Sequence, residues 1–274
     1  MLPPEDPYGR RKRLRFCRQL IAAAQPQMVL DVGCGTGQLT GALAGMFPGV
    51  HFTGVDSDAA SILHARAGWA LPNLEFGCTE RLADAQVFDL IIASEVLEHV
   101  EQPGNFLAIL RDKLTGRGRL LVTLPNGYGP FEIFTLLQTV LAVTGLHALL
   151  RRLKHRLAGR PPVTASNAAD TLAVSPHINF FSHRAVRRLF ADSGLRLVQY
   201  QPRTLLCGFL LDQALSHFGL CEWNAAVADR LPAAFSSDWM FVLEKGPSSG
   251  QPAYERGWLS RLRRRLNERA CGLA

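Results

Sequence analysis

Two carboxylates and an imidazole fall within five residues in Glu95-Val-Leu-Glu98-His99. Side chains three and four apart share a face once a chain enters a helical turn, so Glu95, Glu98 and His99 converge if the segment turns that way. Hard divalent cations prefer carboxylate oxygens and accept an imidazole nitrogen. His177, just before Asn179-Phe180-Phe181-Ser182, is a fourth candidate donor. Three readings stand side by side. The four residues hold a cation such as Mg²⁺; or His99 is a metal-free general base, His being the usual base near neutral pH. In the third, Glu95 lines a pocket while Glu98 and His99 only cap or pack a turn.

A second constellation lies upstream. Residues 29–40 read VLDVGCGTGQLT, an apolar run leading into Asp31-x-Gly33-Cys34-Gly35-x-Gly37 and then a helix. Glycines let the backbone turn sharply and approach a ligand without a Cβ in the way. The helix start offers unpaired N–H groups and partial positive charge, which suit a carboxylate. A dinucleotide fingerprint requires Gly-x-Gly-x-x-Gly/Ala, and the last small position here is Gln38. Asp31 would also repel a pyrophosphate, whereas it suits a ligand with an amino group and a sulfonium. Asp56, at the end of the next apolar run and followed by Ser57, is placed to accept both hydroxyls of a ribose.

These groups need a frame. Short apolar runs at 28–32, 50–55, 74–77, 88–93, 118–124, 195–201 and 239–245 read as strands. Helical patterns fall at 10–24, 38–46, 59–70, 104–113 and 183–193, the last closed by Gly194. The alternation predicts an α/β, Rossmann-like, doubly wound and mostly parallel sheet with helical insertions at 127–176 and 202–236. Residues 1–24 read as an N-terminal basic helix and 25–245 as the domain. Residues 246–274 read as a linker with a basic C-terminal helix outside the core.

VLDVGCGTG, VDSD, FDLIIASEVLEHV and GRLLVTLPN together resemble the class I S-adenosylmethionine (SAM)-dependent methyltransferase family over residues 25–126. The block 177–195 extends the likeness less specifically. The resemblance implies a seven-stranded sheet with an antiparallel last strand and SAM across the strands' carboxyl ends. It implies that Asp31 and the Gly33–Gly37 loop, with Cys34, contact the methionine part. Asp56 and Ser57 would then serve the ribose, and Ser94 the floor of the pocket. The adenine contact falls at Gly77-Cys78-Thr79-Glu80. Many relatives carry an Asp there, so backbone or Glu80 must replace it. Glu-x-x-Glu-His is similar to the metal motif of ubiquinone-pathway O-methyltransferases and of small-RNA 2′-O-methyltransferases. In those, a metal lowers the pKa of the acceptor hydroxyl.

The chain has 274 residues, net charge +7 and 47% apolar residues, enough for one large core. Its six cysteines show no Cys-x-x-Cys pair, which suits reduced thiols in a cytoplasmic protein. Basic runs at 10–15, 151–156 and 261–265 point to solvated faces, a polyanion or an anionic membrane. Residues 133–150 carry no formal charge, the minimum length for a span, but Thr135, Gln138, Thr144 and His147 dilute them. An apolar helix followed by a basic cluster suits the interface of an anionic membrane, and the alternative is a lid packed on the core. The expected acceptor is therefore small and lipophilic or lipid-linked, methylated on oxygen by an enzyme peripheral to the inner face of the membrane. RNA is the competing acceptor, although no RNA-binding module is visible and aromatics are not interleaved with the basic runs. A non-catalytic SAM-binding protein is the third class.

Overall fold

The computed structural model describes residues 7–80, 85–129, 132, 133, 136, 140, 176–206, 215–247 and 254–271. Its strands are β1 (Met28–Val32), β2 (His51–Asp56), β3 (Leu74–Cys78), β4 (Phe88–Ser94), β5 (Leu114–Pro125), β6 (Leu195–Pro202) and β7 (Asp238–Lys245). They form one seven-stranded sheet in the order β3-β2-β1-β4-β5-β7-β6. Neighbours from β3 to β5 run parallel, and β7 is antiparallel to both β5 and β6. This is the doubly wound sheet that the sequence predicts. The strand order reverses at β1, which lies between β2 and β4. Ligands of such sheets bind at this switch, outside the strands' carboxyl ends.

Burial explains the strand sequences. In β4, Leu90 and Ile92 join the core on one face of the sheet, while Ile91 and Ala93 join the core on the other. A strand covered on both faces must be apolar throughout. Helix α1 (Pro7–Ala24) and helix α2 (Gln38–Met46) cover the first face through Phe16, Cys17, Ile21 and Leu43. Helix α3 (Ala59–Gly68) packs Ile62 and Ala65 on Phe76 and Cys34. Helices α4 (Pro103–Asp112) and α5 (His183–Asp192) cover the second face with Leu107, Leu110, Val186 and Phe190. Local chemistry sets the helix ends. Asp58 accepts from Ser61 N–H at 3.0 Å at the start of α3, and Ser182 caps α5 through Ala185 N–H. Gly194, at φ +71°, stops α5.

Helix α1, the basic helix expected before residue 25, contributes its apolar stripe to the sheet-covering core. The C-terminal helix, the last of the fold, also packs on the domain. After α6 (Cys221–Ala228), helix α7 (Trp258–Ala270) buries Ser260 and Arg263 against it. A basic pattern conceals this, since α7 docks through an arginine rather than through an apolar stripe. Most of the apolar stretch 133–150 and the basic run 151–156 lie outside the described residues. Among the described residues, no helix is long and apolar enough to cross a membrane.

Candidate functional site

The glycine loop follows β1 directly. Gly33, Gly35 and Gly37 have φ of +75°, +52° and +76°, the left-handed region that glycine enters without strain. Gly33 N–H and Cys34 N–H both donate to Val55 O, at 2.7 and 3.1 Å, tying the loop to β2. A Cβ on Gly33 would lie 2.4 Å from Val96 Cγ2. The loop therefore touches the segment that carries Glu95, Glu98 and His99.

Two aspartates frame the loop. Asp31 is buried and accepts from Thr40 Oγ1 of α2 at 2.5 Å. Asp56 accepts from Gly35 N–H at 2.8 Å and Asp58 N–H at 2.9 Å. An ionised carboxylate has roughly four acceptor directions, so these two bonds leave room for a diol. Cys34 lies beside the loop, and its thiol is pushed far above the usual range by burial and by the Asp31 and Asp56 charges. It is therefore a neutral packing group and no nucleophile.

A cavity opens over the loop. Asp31, Gly33, Cys34 and Gly35 form one wall, and Ser94, Glu95 and His99 another. Helix α1 closes it with Arg10, Arg13 and Leu14. Nothing in the residue pattern places these arginines here, because a run of six mostly basic residues looks like a solvated face. The burial of Phe16 and Cys17 one turn away is what turns Arg13 inward. Arg13 Nη1 donates to Ser94 Oγ at 3.0 Å. Ser57, Thr79 and Glu80 follow β2 and β3 and do not line this cavity, nor does Asp56.

The structure splits the Glu95–His99 group. Glu95 sits at φ +57°, and the turn that follows is a 3₁₀ turn at Leu97–His99. The helical geometry thus begins after Glu95, and Glu95 and Glu98 do not stack. Glu95 instead accepts from Thr123 Oγ1 at 2.7 Å and from Arg203 Nη1 at 3.2 Å. Burial opposes its charge, but Arg203 and Arg13 overcome that and hold its carboxyl below the usual range. Arg203 is itself fixed on Asp238, 2.9 Å from Nη2 to Oδ1. It had no signal in the sequence, being a single arginine after β6.

His177, the expected fourth donor, joins Glu98 and His99, and Glu95 does not. Glu98, His99 and His177 bring ligand atoms within 4.8 Å of one another, and the two rings meet edge-on at 4.9 Å. His99 Nδ1 lies 3.1 Å from Pro176 O, a contact that places the proton on Nδ1 and turns Nε2 toward Glu98 at 4.0 Å. His177 Nδ1 lies 2.7 Å from Glu132 Oε1. Glu98 is 1% exposed, and among the described residues neither of its carboxylate oxygens has a hydrogen-bond partner. A buried carboxylate without partners is costly, so the arrangement calls for a proton or a cation. Burial and the Glu95 charge push Glu98 up to about 8. Burial also pushes His99 down to about 4. Burial opposes charge on His177 too, but its bond to Glu132 and the nearby carboxylates raise it to about 9.

The profile of a family described as a methyltransferase domain matches residues 8–200. Trans-aconitate 2-methyltransferase of Pseudomonas aeruginosa strain PAO1 is 37% identical over 106 residues, covering 37% of this chain and 37% of that protein. Ubiquinone biosynthesis O-methyltransferase of Azorhizobium caulinodans is 34% identical over 128 residues, covering 45% and 47%. Each match spans less than half of the relative's length. A SAM-dependent methyltransferase structure from Clostridium acetobutylicum aligns with TM-score 0.53 over 86% of this chain and 92% of that one, at 10% identity. The plantazolicin methyltransferase BpumL with bound SAH aligns with TM-score 0.51 over 89% and 87%, at 16% identity. These two structures share the fold. The profile match covers most of the chain and agrees with the strand order, so the chain belongs to the methyltransferase-domain family, within the class I SAM-dependent methyltransferases.

Proposed function

We propose that this chain transfers the methyl group of SAM to an oxygen of a small acceptor, with a divalent cation such as Mg²⁺ assisting. The observation that carries the reading is spatial: the cavity over the glycine loop ends on His99, which belongs to the Glu98–His99–His177 group built around the buried Glu98. Asp31 and the loop suit the methionine end of SAM, and Asp56 suits its ribose. Thr79 and Glu80 remain adenine-side candidates, next to residues outside the described ones.

The acceptor side fits a cation. Glu98 brings two unpartnered oxygens, and both histidines have their Nδ1 held by an oxygen, at Pro176 and Glu132. Those contacts orient Nε2 of each ring as a potential ligand, an arrangement common around bound metals. When bound there, a divalent cation lowers the pKa of an acceptor hydroxyl. His99 alone is a weak base at a pKa of about 4, well below the range that favours general-base catalysis near neutral pH. That weakness favours the metal-assisted reading over the metal-free one. Glu95, paired with Arg203, lines the pocket and shapes its charge instead of ligating.

For the acceptor we favour a small lipophilic or lipid-linked molecule, taken up by an enzyme resting on an anionic membrane face. Phe218, Trp223 and Phe235 of the second insertion are each more than half exposed, and such apolar exposure suits a lipid interface. The names of the two relatives above point to a small acceptor. The test is transfer of radiolabelled methyl from SAM into a cell extract partitioned into organic, aqueous and RNA fractions, with and without EDTA. Label in the organic phase that disappears with EDTA and returns with Mg²⁺ is the expected result. Label in RNA overturns the acceptor, and turnover indifferent to EDTA overturns the cation.

A further inference from the structure

We infer that Arg263 of α7 and Glu132 form a positioning pair that sets His177 in the acceptor site. The C-terminal helix thereby becomes part of the catalytic frame. The inference rests on the reading of Glu98, His99 and His177 as the acceptor-side group.

Glu132 is 1% exposed and is held between two partners. Its Oε1 meets His177 Nδ1 at 2.7 Å, and its Oε2 accepts from Arg263 Nη2 at 2.5 Å. Arg263 is itself buried. Its guanidinium also donates to Glu132 O at 3.2 Å and to Gly127 O, and stacks on Phe180 at 3.7 Å. A planar five-donor fork does all of this at once, and a lysine ammonium does not. Breaking a buried ion pair leaves an uncompensated charge, so each partner depends on the other.

The same helix holds His177 from behind, because Asn267 Nδ2 donates to His177 O at 3.1 Å. The neighbouring residues are fixed in kind. Arg256 Nε donates to Asn179 Oδ1 at 2.8 Å, and Tyr254 Oη donates to Phe180 O at 3.2 Å. Asn179 in turn donates to Leu97 O and Val100 O, on either side of Glu98 and His99. Residues 254–267 thus clamp the 176–181 segment onto the 97–100 turn. With Nδ1 committed to Glu132, Nε2 is the nitrogen His177 has left for Glu98 and His99. These clamping residues lie beyond the profile-matched region, 8–200. The polarity of α7 is therefore a docking device rather than a solvated face.

The experiment uses the full-length protein labelled with ¹⁵N-histidine. Its primary readout is the His177 ring N–H proton, assigned by its loss in His177→Gln. In the wild type this proton is expected to exchange slowly and to resonate far downfield. Arg263→Met should abolish that signal while SAM affinity, measured by calorimetry, stays unchanged. Arg263→Lys should restore it only in part. Mn²⁺ titration gives the second readout, with affinity expected to fall about 10- to 100-fold in Arg263→Met, as for other residues that orient metal-bound histidines. A protected proton that persists in Arg263→Met, or is absent from the wild type, overturns the inference. If the wild type binds no Mn²⁺, the metal reading fails, and the ring proton still decides the positioning pair. Should Arg263→Met lose its fold by circular dichroism, Glu132→Leu replaces it. That variant removes both the charge and the oxygen that faces His177 Nδ1, so an unchanged ring proton there overturns the inference.

Discussion

At the carboxyl ends of β1 and β2 the site is made largely of backbone, whereas around Glu98 it is made of side chains drawn from four separate segments. The first region uses three glycines in left-handed conformations, two N–H groups on Val55 O and one aspartate bracing Gly35. All of it comes from about thirty consecutive residues, 29–58. The second region draws on the 97–99 turn, Glu132, the 176–181 segment and α7. Residue 99 and residue 263 meet there only through the fold. A backbone site tolerates little variation, while a side-chain site can change with its substrate, which fits a shared cofactor and a varied acceptor.

The largest effect should come from breaking the backbone side. Asp56→Ala removes the brace on Gly35 and, on the proposed reading of Asp56 as the ribose ligand, two charge-assisted bonds each worth about 1.5–3 kcal/mol. SAM affinity, measured by calorimetry, should fall about 100-fold or more. Affinity within a few-fold of wild type would show that Asp56 only shapes the loop. Glu98→Gln is the matching break on the other side. It should leave SAM affinity unchanged and lower methyl transfer about 100-fold or more. If SAM affinity fell in step with turnover, the two regions would be a single unit and the contrast would fail.

A pH series sharpens the contrast without any mutation, in protein stripped of metal. A carboxyl pushed up to about 8 binds its proton more tightly folded than unfolded. The folded chain then holds more protons at Glu98 from the usual carboxylate range up to about 8, and stability falls as pH rises through that window. His177, raised to about 9, acts in the same direction above its usual 6.5. His99, lowered to about 4, acts in the opposite direction, but only between about 4 and 6.5. The contributions offset one another below pH 6.5 and add above it. Urea midpoints should therefore change little from pH 5 to 6.5 and drop from 6.5 to 8, with a smaller drop in Glu98→Gln. A rise in stability above pH 6.5 would refute the protonation states assigned to Glu98 and His177.

The same contrast explains what the sequence could disclose. Asp31, the glycines and Asp56 are neighbours in sequence, and strand, tight turn and helix leave a local pattern. The seven strands are legible for the same reason, as apolar runs buried on both faces. Glu98, His99 and His177 were legible by residue type, but their geometry was not. Whether Glu95 joins them depends on where a 3₁₀ turn begins and on Arg203, more than a hundred residues away. Arg13 and Arg263 look like members of basic runs. Only the burial of Phe16 and Phe180 next to them shows which arginine of each run turns inward.

The smallest expected effect lies at the rim of the side-chain region. Glu101 is 60% exposed and pairs with Arg256 at 3.1 Å and Arg264 at 2.5 Å. It follows the 97–99 turn by two residues, so it ties α7 to the same turn as Asn179 but from the solvent side. Exposed ion pairs contribute about 0–1 kcal/mol, because water screens both charges and long side chains lose freedom on pairing. Arg256 also keeps its bonds to Asn179 Oδ1 and Glu101 O when the Glu101 carboxylate is removed. Glu101→Ala should therefore cost less than about 1 kcal/mol in urea unfolding, with SAM affinity and turnover unchanged. The residual loss should shrink further at high salt, where surface pairs are screened. A loss of turnover in Glu101→Ala comparable to that in Glu98→Gln would place the origin of the clamp at the surface. The buried Arg263–Glu132 pair would then be a consequence of α7 docking rather than its cause.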